Sequence, residues 1–155
     1  MIVEYYKPYA AHINNLAKRH GIRVITINQK TNNDDRYTLA ACSNKWDKYI
    51  EIPDVNNEET YLTALHEIGH CIHPLGTHGG YRFFTDNTNL TEEAAAWSWA
   101  FAKSKIKINP TDCEFARWCY GTYTFNAARF GYQEPYEVPH PQMESVKKMH
   151  QLLTA

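Results

Sequence analysis

Apolar positions along the chain change their period several times, and each change marks an element. Pro8 can open a helix, and Tyr9, Ile13, Leu16 and Ala17 then recur at helical spacing up to the stop signal His20-Gly21, predicting a helix over Pro8 to His20. From Ile22 the period shortens: Ile22, Val24, Ile25 and Ile27 are β-branched and predict a strand, and the polar cluster Asn28 to Asp35 fits a hairpin or loop. Arg36 to Ser43 and Tyr49 to Ile52 predict two more strands. Lys45 to Asp47 turns between them, and Pro53-Asp54 ends the last because proline cannot donate to a ladder.

The pattern then turns helical. Asn56 with Glu59 three residues later matches a capping box, and Tyr61, Leu65, Ile68 and Ile72 form one apolar stripe, predicting a helix from Asn56 to His73 that Pro74 and Gly76 end. Gly76 to Asn87 is a loop by composition. Asn89 with Glu92 offers a second capping signal, ahead of an Ala- and Trp-rich helix ending near Lys105. A third helix is expected from about Thr111 to Arg129, with Gly121 as a point where it could break, and a short one after Pro141. With no internal repeat and no linker, the expectation is one α+β domain over residues 1–155. Its short antiparallel or mixed sheet of about three strands packs on two strong helices, with further helices behind.

Composition narrows the function classes. The chain has 155 residues, 43% of them apolar, and a mean hydropathy of -0.59, so a core is affordable and no apolar run approaches the length of a membrane span. The start, Met1 to Lys7, lacks the features of a secretory signal, and the default expectation is a cytoplasmic protein with no membrane partner. Lys and Arg (16) nearly cancel Asp and Glu (17) without like-charge blocks, which argues against a nucleic-acid partner recruited by bulk charge. The four cysteines contain no C-x-x-C pair and are expected to be reduced thiols, and the aromatic residues, at 14%, are expected to carry much of the core.

One motif carries chemistry. His66-Glu67-Ile68-Gly69-His70 is an H-E-x-x-H sequence inside a predicted helix, and composition alone would produce that pattern about 0.03 times in such a chain. Four residues is about one helical turn, so both imidazoles can reach one ion, and zinc is the expected cofactor. Glu67 is poorly placed to be a ligand and well placed to take a proton from water at the metal, which makes it the expected catalytic base. A hydrolytic zinc site needs a third protein ligand. The elongated motif with Gly at 73 and His at 76 is absent, because the chain has His73 and Gly76 there. A carboxylate on a second helix is the remaining common solution, and Glu92 and Glu93 point about 100° apart on such a helix. Glu92 falls at the third position of the Asn89 capping box, whereas Glu93 shares a face with Ala96, Trp97 and Ala100, so Glu93 is the expected ligand. Gly69, Ala96 and Ala100 would let the two helices approach closely.

His66-Glu67-x-x-His70 followed by Glu93-x-x-Ala96-Trp97-x-Trp99-Ala100 resembles the ImmA/IrrE family of zinc metallopeptidase-like domains, small phage-encoded members most of all. The resemblance covers roughly residues 45 to 105. It implies a zincin-like fold of gluzincin type, with His66, His70 and Glu93 as zinc ligands, Glu67 as the catalytic residue, and a narrow protein substrate such as a repressor or other regulatory protein. It also implies an edge strand that lines the cleft and pairs with an extended peptide, for which Tyr49 to Ile52 is the candidate. The chain departs from the family in lacking the Leu-Met-Pro ending of the second helix, and no helix-turn-helix or sensory domain is expected beside the core.

Around this centre, His73, Tyr81 and His140 are candidate substrate or oxyanion contacts, with His78, Arg82 and Tyr123 as further donors that spacing does not distinguish. The partner of the ligand histidines' second nitrogens is left open among Asp86, Asp112 and a backbone group. Two other functions remain in play: a non-catalytic zinc module that grips a peptide, and a DNA-repair-associated protease of the SprT-like kind. An intact Glu67 disfavours the first, and the missing zinc ribbon and basic tail disfavour the second.

Overall fold

Helix α1 spans Lys7–Arg19 in the computed structural model of the protein, which describes residues 3–27, 41–72, 87–129 and 143–155. Pro8 lies in its first turn, where a missing N–H leaves no bond unmade. At the other end the Gly21 N–H bonds the Lys18 carbonyl and the Ile22 N–H bonds the Ala17 carbonyl, with Gly21 at φ 69°. This is the double closure that a glycine in the left-handed region makes possible, and it realises the stop signal at His20-Gly21.

Among the described residues the sheet has three strands, β1 (Arg23–Thr26), β2 (Cys42–Asn44) and β3 (Tyr49–Ile52), in the order β1-β3-β2. β1 runs parallel to β3 with Arg23 opposite Tyr49, and β2 runs antiparallel to β3 with Ser43 opposite Ile50, so the sheet is mixed. Ile50 and Ile52 face the core while Tyr49 and Glu51 alternate away from it. The strand expected from Arg36 to Ser43 is described only from residue 41 onward, and there β2 begins at Cys42 and runs to Asn44. One expectation needs correction. Tyr49 to Ile52 is the central strand, its backbone paired on both sides, and has no free edge for a peptide. Among the described strands, β2 and β1 are the edges.

Helix α2 (Glu58–Ile72) starts one residue pair later than the capping signal suggested. Asn57 is the cap: its side-chain oxygen accepts the Thr60 N–H at 2.8 Å, and the Thr60 hydroxyl accepts the Asn57 and Asn56 N–H groups at 3.1 and 3.0 Å. Asn56 instead accepts the Val3 N–H. The box exists, but with Thr60 in the role assigned to Glu59. Every residue from Thr60 to Cys71 is buried, because α1, β2 and β3 cover one side of α2 and α3 covers the other. The predicted single apolar stripe therefore understates the burial, and Tyr61, Leu62, Leu65 and Ile68 are each fully enclosed, worth about 1.5–3 kcal/mol apiece.

Helix α3 (Asn87–Lys103) begins ahead of Asn89, so that residue lies inside the helix and is not its cap. Helix α4 (Pro110–Arg129) is capped reciprocally by Asn109 and Asp112 and runs through Gly121 unbroken. Helix α5 (Met143–Thr154) follows Pro141 and buries Val146, Met149 and Leu153 against α3 and α4. The architecture is thus a small α+β unit, and no described helix is long and apolar enough to cross a membrane. Aromatic burial is selective: Tyr61, Trp97 and Tyr120 are enclosed, whereas Trp46 and Trp118 are exposed.

Candidate metal centre

The centre lies where α2 and α3 touch. Gly69 sits between the two histidines of α2, and a Cβ added there would stand 2.9 Å from the Ala96 carbonyl oxygen and 3.1 Å from its Cα. The helices meet at backbone distance, which only glycine permits at this point. That approach carries Glu93, one turn before Ala96 and Trp97 on the same buried face, into the space between His66 and His70.

Three side chains converge there. The two Nε2 atoms are 3.1 Å apart, Glu93 Oε1 is 3.1 Å from His66 Nε2, and Glu93 Oε2 is 2.7 Å from His70 Nε2. All three groups are buried, and His66, His70 and Glu93 offer ligand atoms within 4.8 Å of one another, so they form a group that can hold a metal ion. Ligands about 2.0–2.1 Å from a tetrahedral ion stand about 3.3 Å apart, close to the spacing found here. Glu93 Oε1 supplies the test of fit: it is buried, faces His66 Nε2 and forms no hydrogen bond. A carboxylate oxygen in that state is costly unless a cation compensates it, and a two-histidine, one-carboxylate donor set suits zinc.

The electrostatics agree with mutual attraction overcoming burial. Burial opposes charge on His70, yet the Glu93 and Glu92 carboxylates raise its pKa well above the ordinary histidine value. Burial likewise opposes the Glu93 carboxylate, while His70 and His66 hold its pKa far below the usual range. All four cysteines are free thiols; burial pushes Cys42 and Cys71 up to about 11 and Cys119 up to about 12, so these three stay protonated near neutral pH.

Two neighbours were misjudged or missed from sequence. Glu92 is not part of a helix cap, because α3 starts at Asn87. Its Oε1 accepts the His70 Nδ1–H at 3.0 Å and the Lys45 ammonium at 3.3 Å. Asp112, a candidate for that role, instead caps α4. Trp97 stacks on His66, with ring centroids 4.1 Å apart and planes 25° from parallel. Glu92 carried one usable signal, its adjacency to Glu93, since side chains 100° apart can meet one imidazole at its two nitrogens. Lys45 carried none. Glu67 is buried beside His66 on α2 and makes no hydrogen bond or ion pair among the described residues. His73, Tyr81 and His140, together with His78, Arg82, Asp86 and the Tyr123 side chain, lie outside the described residues. No family model, curated protein or solved structure matches the chain.

Proposed function

We propose that the protein is a zinc-dependent endopeptidase in which His66, His70 and Glu93 hold the ion and Glu67 is the general base. The observation that carries this reading is Glu67, a carboxylate one residue from His66 that makes no hydrogen bond or ion pair among the described residues. A metal that only stapled the fold would have no use for a carboxylate beside its histidine ligands, whereas a general base has to stand there. The zinc, when bound, supplies Lewis acidity, polarising the scissile carbonyl and acidifying water. Glu67 accepts the proton of the attacking water and delivers it to the leaving amine nitrogen. His66, His70 and Glu93, fixed by the close approach of α2 and α3, keep that carboxylate beside the reacting atoms.

An extended peptide would pair along β2, an edge among the described strands, whose following turn supplies Lys45 to the site. The resemblance to ImmA/IrrE-type domains supports a narrow substrate, a repressor or other regulatory protein. The test combines metal analysis with cleavage of a degenerate peptide library by wild type and Glu67→Gln. The expected variant retains one zinc per chain and loses about 10²–10⁴-fold in cleavage rate. Equal cleavage by the two proteins would remove Glu67 from catalysis.

A further inference from the structure

Glu92 and Glu93 are consecutive on α3, yet both reach the same ring. Glu93 faces His70 at Nε2, 2.7 Å away, and Glu92 faces it at Nδ1, 3.0 Å away. From this clamp the geometry points to Glu92 as a positioning residue that, held by Lys45, orients His70 for the metal.

Three features carry the inference, which rests on the reading of His66, His70 and Glu93 as metal ligands. First, an anionic acceptor at Nδ1 keeps the ring's proton on that nitrogen and leaves the Nε2 lone pair aimed at Glu93 and His66, the direction in which an ion is received. Second, Glu92 does not behave as a solvated surface acid. Its side chain is 13% exposed, and its Oε1 is shared between His70 and Lys45, whose side chain is 14% exposed. Lys45 comes from the turn between β2 and β3, so the carboxylate is anchored from outside its own helix and cannot swing to water without breaking two charge-assisted bonds. Third, the support is specific to one ligand. His66 has the same chemistry and the same Glu93 contact, but its Nδ1 is buried with no hydrogen-bond partner. The protein therefore orients the two imidazoles separately, and Glu92 does so for His70.

The test measures zinc affinity of the full chain by competition with a chromophoric chelator. Wild type, Glu92→Gln and Glu93→Gln are compared, with circular dichroism of each metal-free protein as the check on folding. Wild type is expected to bind one zinc, Glu93→Gln to lose that affinity, and Glu92→Gln to keep one zinc bound about 10–100-fold more weakly. A Glu92→Gln affinity within twofold of wild type, beside a crippled Glu93→Gln, would overturn the role of Glu92 alone. No zinc bound by wild type, or full affinity in Glu93→Gln, would overturn the metal reading and this inference with it. A second measurement needs no variant. In zinc-loaded wild type the His70 Nδ1 proton should appear as a downfield NMR resonance protected from solvent exchange, and rapid exchange of that proton would refute the bond to Glu92 even if Glu92→Gln failed to fold.

Discussion

His66 and His70 leave the same helix one turn apart and meet the same carboxylate, but different forces hold them. On the His70 flank the ring faces a carboxylate at each nitrogen, hydrogen-bonded to Glu92 at Nδ1 and 2.7 Å from Glu93 at Nε2, and a lysine from the hairpin turn secures Glu92. On the His66 flank the ring lies flat against Trp97, and Nδ1 has no partner. A hydrogen bond constrains direction, whereas stacking constrains the plane and leaves rotation within it free. One flank of the centre is therefore tied to the polar turn after β2 and the other to the aromatic core. Changes on the two flanks should consequently be read by different measurements.

The largest effect is expected on the aromatic flank. Trp97 is 1% exposed and also meets Phe101 and Phe115 edge-on, so it is a core residue as much as a support for His66. Truncation in Trp97→Ala should cost about 3–5 kcal/mol of unfolding free energy, measured by denaturant titration of the metal-free protein. A loss under about 1 kcal/mol would mean that the indole serves His66 alone and that the contrast between the flanks is misdrawn.

A smaller effect joins the flanks. In Gly69→Ala the new methyl would press on the Ala96 carbonyl at 2.9 Å, and a backbone group in a buried helix cannot move aside as a side-chain tip can. Overpacking of this kind costs about 1–3 kcal/mol. Because Glu93 is delivered by the same helix contact, zinc affinity should fall along with stability. If stability fell while affinity held, the approach of α2 and α3 would be a packing feature without bearing on the ligands.

How much of this is legible in the sequence follows from the range over which each feature is determined. His66, Glu67 and His70 are legible because a four-residue spacing on a helix is local, and so is the face shared by Glu93, Ala96, Trp97 and Ala100. Strand β3 and the turn before it are legible for the same reason. Glu92 is misread because its meaning depends on where α3 begins, and helix starts are weakly specified when several Asn residues compete to cap them: Asn56 and Asn57 present the same ambiguity in α2. That β3 is central and β2 an edge depends on the crossover from β1, which no local pattern encodes. Lys45 reaches Glu92 across 47 positions of sequence and has no sequence signature at all.

The smallest expected effect comes from a histidine with a polar partner and no ligand role, which isolates the value of orientation by hydrogen bonding. Tyr61, fully buried, has its hydroxyl 2.6 Å from His12 Nδ1 and accepts the Lys105 N–H at 3.0 Å. With that N–H already donating to it, the hydroxyl donates to a neutral His12. Burial lowers the His12 pKa, and the Lys105 and Arg19 charges lower it further. The unfolded chain therefore takes up this proton at a higher pH than the folded one. The stability linked to neutral His12 is complete above the ordinary value near 6.5 and is lost as pH falls through the depressed folded-state value. Replacement by His12→Leu should cost about 0.5–1.5 kcal/mol near pH 7.5, the worth of one hydrogen bond. The gap between wild type and variant should narrow as the pH of the denaturation experiment is lowered below 6.5. A gap that instead widened on acidification would show that folded His12 favours its proton, reversing the assignment of donor and acceptor between the imidazole and Tyr61.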